Sequence, residues 1–153
     1  PVAMTEHHIE FFGRHIVFIN GFAANDPQST EQIWDLARAA HADCATKIAV
    51  LNCRADRSHR SRQLGAACVQ WRDVDHFVVV GNGTYLFGKA AIEAGVPPEK
   101  LTYAEAQRVD EVFELLMGLC RNHALIMGLG NIGGIGLSMV RYFKNREAPE
   151  LAA

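Results

Sequence analysis

No apolar run in this 153-residue chain approaches the roughly 20 residues that a helix needs to cross a bilayer, and no signal-peptide pattern opens it. No Cys-x-x-Cys pair occurs among Cys44, Cys53, Cys68 and Cys120. A zinc ribbon or dithiol redox motif is therefore excluded, and reduced, partly buried thiols of a cytosolic protein are expected. There is no excess of either charge: the formal net charge of -2 argues against a generally basic nucleic-acid binder and leaves room only for a local basic patch. Repeats, low-complexity tracts and interdomain linkers are also missing. What remains is 49% hydrophobic against 21% charged residues, the balance of one α/β domain with a real core rather than a disordered tail.

The apolar pattern alternates between two periods. Short buried runs at residues 15–19, 47–51, 76–80 and 123–127 read as strands covered on both faces. Between them, helical spacing covers 28–41 (Ile33, Trp34, Ala37, Ala40), 64–71, 90–94 and 105–119, and a last helix runs from about 136 to 144. Strand and helix in alternation predict a Rossmann-like, three-layer α/β domain with a mostly parallel sheet. The segment up to Gly13 is a weak element. Its Glu6-His7-His8-Ile9-Glu10 cluster resembles a ligand set on paper but reads as a mobile terminus, so no metal site is assigned.

In such a sheet, ligands gather outside the carboxyl ends of the strands, and three segments fall there. The elbow Ile19-Asn20-Gly21-Phe22-Ala23-Ala24-Asn25-Asp26-Pro27 joins a strand to a helix start. Asn20, Asn25 and Asp26 are either ligand-facing groups or the caps of an ordinary βα turn. The segment Asn52-Cys53-Arg54-Ala55-Asp56-Arg57-Ser58-His59-Arg60 sets three arginines at a spacing of three where a strand enters a helix. Guanidinium forks at a helix start suit carboxylate or phosphate; a solvated helix end with local ion pairs, Asp56 neutralising an arginine, fits the same spacing. The third segment, Gly128-Leu129-Gly130-Asn131-Ile132-Gly133, satisfies G-x-G-x-x-G between a strand and a helix. Only 20 residues follow it, too few to complete a dinucleotide-binding unit, so its glycines serve either an anion or close helix packing. Gly83-Thr84-Tyr85-Leu86-Phe87-Gly88-Lys89-Ala90 approaches a phosphate loop but has bulky interior residues and no hydroxyl after the lysine; it reads as a chance match with Lys89 exposed.

These three segments, in this order and reaching to Tyr142-Phe143-Lys144-Asn145-Arg146, resemble the ligase subunit of poly-gamma-glutamate synthases (the PgsB/CapB type), relatives of the Mur ligases. The likeness runs from about Phe11 to Arg146 and is to the carboxyl-terminal part of that enzyme. It implies a fold similar to the Mur ligase carboxyl-terminal domain across residues 1–153, with a central ATPase domain and its phosphate-binding loop expected upstream. It further implies an ATP-dependent amide ligase that activates a carboxylate as an acyl phosphate and adds glutamate to poly-gamma-glutamate. ATP and Mg2+ would be held mainly by the central domain, and the isolated chain would be inactive. Arg54, Arg57 and Arg60 become the catalytic candidates, with Asn20, Asn25, Asp26, Asn52, Asp56, Gly130 and Asn131 as nucleotide- or substrate-binding candidates. The implied setting is cytoplasmic, at the inner face of the membrane with membrane subunits of the synthase and as a possible homo-oligomer. No nucleic-acid partner is implied.

Overall fold

A computed structural model describes residues 4–22, 24 and 26–147. Six strands, β1 (Thr5–Phe11), β2 (Arg14–Asn20), β3 (Thr46–Cys53), β4 (His76–Gly81), β5 (Leu101–Glu105) and β6 (His123–Gly130), form one sheet in the order β1-β2-β6-β3-β4-β5. Every pairing is parallel except β1 with β2, which is antiparallel. The helices are α1 (Pro27–Ala40), α2 (Ser58–Ala67), α3 (Thr84–Ala94), α4 (Val109–Leu119) and α5 (Ile135–Lys144).

The pleat sorts the strand residues into two cores. On β3, where all eight residues are buried, Ala49, Leu51 and Cys53 join a cluster with Trp34 and Ala37 of α1, Leu64 of α2 and Phe87 of α3. Ile48 and Val50 point the other way, among Val112, Phe113 and Leu116 of α4 and Met139 and Phe143 of α5. Alternate residues of a strand face opposite sides, so a central strand must be apolar throughout, and helices cover both faces. The result is the three-layer, mostly parallel α/β domain expected from the pattern.

Two elements depart from the sequence reading. The segment up to Gly13 is strand β1, paired along its length with β2 rather than a mobile terminus; its burial alternates, with His7 and Ile9 buried and Glu6 and Glu10 exposed, the mark of an edge strand. Residues 101–105 form β5 at the other edge, so α4 starts at Val109 and not at residue 105. A five-residue edge strand with only two buried positions gives too little apolar signal to separate it from the helix that follows. The third helix also begins at Thr84, six residues before the predicted start, because a carboxylate from β5 caps it.

β3 and β6 are neighbours, yet β3 leads into α2 on one face and β6 into α5 on the other. The connections diverge there and open a crevice at the carboxyl ends of the two strands.

Candidate anion-binding cleft

The crevice is a cleft of about 480 Å³. Asn52, Cys53 and Arg54 line it from the end of β3, Gly81 and Asn82 from β4, Ala106 and Gln107 from β5, and Gly133, Gly134 and Ile135 from the turn into α5.

Asn52 is its organising residue. The side chain is buried, and its Nδ2 donates to the carbonyls of Asn131 at 2.7 Å and Gly133 at 2.9 Å. Its backbone oxygen accepts from the Asn131 backbone N–H at 3.1 Å and from Asn131 Nδ2 at 3.3 Å. One asparagine therefore fixes both sides of the glycine turn; of the predicted binding residues Asn52 lines the cleft, whereas Gly130 and Asn131 shape the turn and do not line it. Gly130 has φ +88, and a Cβ there would lie 2.6 Å from the Asn52 carbonyl oxygen, so only glycine allows the two strand ends to approach this closely. With N-cap Gly134, α5 has no side-chain cap; the Gly136 N–H donates to the Gly133 carbonyl at 3.3 Å, and Gly134 and Ile135 at the helix start line the cleft.

Arg54 stands on the opposite wall. Its Nε and Nη2 donate to the two carboxylate oxygens of Asp56 at 3.0 and 2.8 Å, and the fork holds the Asp56 carboxyl below the usual carboxylate range. This side-on pairing leaves Nη1 without a partner among the described residues. Arg57 and Arg60 lie outside the cleft wall: Arg57 is exposed after a single 3-10 turn (Ala55–Arg57), and Arg60 is half-buried in the first turn of α2. Among the described residues no carboxylate pairs with either.

The elbow is built differently. Asn20 Oδ1 accepts from the Phe22 N–H at 3.2 Å in a local turn. Asp26 caps α1, its two oxygens accepting from the Ser29 N–H and hydroxyl at 2.9 and 2.7 Å; these bonds, the backbone one foremost, lower its pKa. Both side chains are engaged in turn and cap contacts, and neither lines the cleft. Asn25 lies outside the described residues.

Three residues of consequence were not singled out from sequence. Asn82 and Gln107 line the cleft just past the ends of β4 and β5. Glu105, at the end of β5, accepts from the N–H groups of Gly83 at 3.1 Å and Thr84 at 3.0 Å and from the Thr84 hydroxyl at 2.7 Å. Those bonds, led by the hydroxyl, pull its pKa down. The start of α3, which carries the phosphate-loop near miss, is thus filled by the protein's own carboxylate. Recognising β5 as a strand is the signal that would have found Gln107 and Glu105, since both sit at its carboxyl end.

No carboxylate lines the cleft among the described residues, and burial pushes the Cys53 thiol up to about 11, which removes it as a nucleophile. A guanidinium, two amides and an uncapped helix start surround the space. Such a set can hold an anion by hydrogen bonds and charge.

Residues 6–146 match the family described as the poly-gamma-glutamate synthase CapB C-terminal domain. The PGA synthase CapB of Bacillus subtilis (strain 168) is 32% identical over 136 residues, which cover 89% of this chain and 34% of that protein. The capsule biosynthesis protein CapB of Bacillus anthracis is 28% identical over 117 residues, 76% of this chain and 25% of that protein. The chain thus spans about a third or less of the relatives it matches. Among solved structures, a UDP-N-acetylmuramoyl-L-alanyl-D-glutamate–2,6-diaminopimelate ligase superposes with TM-score 0.62 at 12% identity, over 95% of this chain and 31% of that one. MurF ligase from Thermotoga maritima in complex with ADP superposes with TM-score 0.52 at 12% identity, over 92% and 31%; at such identities the likeness is one of fold, and the fold is that of Mur ligases. On the matched span of residues 6–146, the chain belongs to the family of poly-gamma-glutamate synthase CapB C-terminal domains.

Proposed function

We propose that this chain is the closing domain of an ATP-dependent amide ligase that extends poly-gamma-glutamate through an acyl phosphate. Residues 1–153 would form one carboxyl-terminal domain, and the central ATPase domain with its phosphate-gripping loop would precede it. The observation that carries this reading is the cleft at the β3/β6 divergence, where Arg54 and the uncapped start of α5 face one anion-sized space. In a ligase that opens and closes, this surface meets the transferring phosphoryl or the polyglutamate carboxylates. Arginine is suited to both, through charge and a planar fork. Arg57 and Arg60, exposed and half-buried beside the cleft, extend the positive surface toward the partner domain. Mg2+ in phosphoryl-transfer sites is held by one or two carboxylates together with substrate phosphates, and no carboxylate lines this cleft among the described residues. Its place is with the central domain, so the domain contributes anion binding and closure. The full enzyme would work at the cytoplasmic face of the membrane with membrane subunits; the chain itself has no described helix long and apolar enough to cross a membrane.

The test is synthesis by the full-length enzyme. Arg54→Ala and Arg57→Ala should each lower glutamate-dependent ATP turnover at least about tenfold, the size of a lost charge-assisted hydrogen bond, with unchanged melting temperature. The isolated chain should fold and show no glutamate-dependent turnover. Normal synthesis by both variants would return the arginines to a solvated helix start, and turnover by the isolated chain would overturn the division of labour between domains.

A further inference from the structure

The opposite end of the sheet carries a second constellation, unrelated to the cleft. Strand register sets Glu10 against His15, His8 against Val17 and His15 against His123. Paired residues share a face, and so do residues two apart on a strand. Glu6, His8 and Glu10 of β1, His15 of β2 and His123 of β6 therefore stand together on the α1 side, where α1 ends at His41.

His8 Nε2 donates to Glu6 Oε1 at 2.8 Å, and His15 Nδ1 donates to Glu10 Oε1 at 2.6 Å. A neutral imidazole has a single N–H, and in each ring a carboxylate takes it. The remaining nitrogens, His8 Nδ1 and His15 Nε2, then both present lone pairs, and they face each other at 3.0 Å. Two lone pairs at that distance repel unless a cation lies between them. Zinc–nitrogen bonds of about 2.0–2.1 Å at a tetrahedral angle place two ligand nitrogens roughly 3.3 Å apart, so the rings need to part by only a few tenths of an ångström. A carboxylate behind each ring is also the outer arrangement that fixes the tautomer of metal-bound histidines and raises their basicity. The two side chains are 33% and 30% exposed, open enough for an ion to enter and for water to complete its coordination.

We propose that His8 Nδ1 and His15 Nε2 bind a divalent transition-metal ion of the Zn2+ class, with Glu6 and Glu10 positioning the two rings. Imidazole nitrogen suits zinc over magnesium or calcium. Glu6 also lies 3.2 Å from His41 Nε2, so the site ties the β1–β2 hairpin to the end of α1. Among the described residues, the charged or ligating groups next to it include His123, whose ring is 5.2 Å from that of His15, Asp43, 3.7 Å from His123 Nδ1, and Cys44 beside them, whose carbonyl accepts from Lys47 Nζ at 3.0 Å. A proton shared between the two rings is the competing occupant, so binding weakens as pH falls.

The test is calorimetric titration of the tag-free full chain with Zn2+ at neutral and mildly acid pH, with melting temperature followed in parallel. A single ion per chain, a higher melting temperature with zinc and weaker binding at the lower pH are expected. His8→Gln and His15→Gln should each weaken binding at least about tenfold, while Glu10→Gln, which keeps an acceptor behind His15, weakens it less and controls for misfolding. A Cys44→Ala/His123→Gln double variant should still bind. Absence of zinc binding by the folded chain would overturn the proposal. So would binding lost only in the double variant, which would place the ion on Asp43, Cys44 and His123.

Discussion

Two helix starts at the same edge of the sheet follow glycine-containing turns, and they are closed in opposite ways. At α3, Glu105 reaches over from β5 and takes the N–H groups of Gly83 and Thr84. At α5, Asn52 reaches across from β3 and takes the turn's carbonyl oxygens instead, and no side chain caps the helix start that lines the cleft. Both turns match a phosphate-binding pattern loosely in sequence. A glycine motif therefore gives the backbone its shape, and the side chain arriving from a neighbouring strand decides whether the anion hole is already filled. By this criterion the turn into α3 is already filled, and the turn into α5 is the candidate site.

The comparison is broken most severely at Gly130. Its φ of +88 and the 2.6 Å from a would-be Cβ to the Asn52 oxygen mean that Gly130→Ala meets backbone it cannot displace. Strain and overlap together should cost on the order of 3 kcal/mol or more, read as a fall in the urea midpoint. A neutral substitution would show that the strand ends are not held as closely as the Asn52 contacts require.

Asn52→Ala comes next. It removes two donated hydrogen bonds and leaves the Asn131 and Gly133 carbonyls without that donor, a loss of about 2–3 kcal/mol, and it should also loosen the start of α5. Amide hydrogen exchange at residues 134–138 separates the outcomes: faster exchange confined to α5 supports the clasp, whereas uniform acceleration would make Asn52 a generic core residue.

Glu105→Ala removes the cap of α3 and should cost about 1 kcal/mol, with anion binding in the cleft unchanged. Its acid dependence has a definite sign. The folded-state pKa lies below the ordinary value of 4.5, so the stabilisation is fully present above that value and is lost as pH falls through the lowered folded-state pKa. In acid titrations wild type should converge on Glu105→Gln below pH 4.5. Curves that stay parallel there would mean the carboxylate charge adds nothing to the cap.

How far the sequence reveals all this depends on where each strand lies. β2, β3, β4 and β6 are buried on both faces and announce themselves as apolar runs, which is enough to infer the layered α/β fold. β1 and β5 are edges: half their residues meet solvent, so Glu6, His8 and Glu10 in one and Thr102, Tyr103 and Glu105 in the other interrupt the pattern. The site follows the same division. Asn52, Arg54 and the 130–134 turn lie at the ends of buried strands and carry a readable motif. Glu105 ends the unrecognised edge strand and Gln107 follows it, and the contact of Glu105 with Thr84 spans a separation that no local pattern encodes. Asn20 and Asp26 are polar residues at a strand end, as the cleft residues are, and only their hydrogen bonds to Phe22 and Ser29 distinguish a cap from a ligand.

The smallest stability effect is expected at Arg57, and it sharpens the comparison most. Glu105 acts within the fold, so its removal is visible in stability. Arg57 is exposed and has no paired carboxylate among the described residues, so both Arg57→Lys and Arg57→Ala should change stability by no more than about 0.5 kcal/mol. Their activities in the full-length enzyme should divide by chemistry. Lysine keeps the charge but lacks the planar fork, so a bidentate contact to phosphate or carboxylate is lost in both variants and synthesis falls in both. A simple steering charge would be restored by lysine and would weaken steeply as salt is raised. Measuring synthesis by wild type, Arg57→Lys and Arg57→Ala at low and high salt distinguishes these cases. Full rescue by lysine rejects the fork, and full activity in Arg57→Ala leaves Arg54 and the start of α5 as the anion-binding part of the surface.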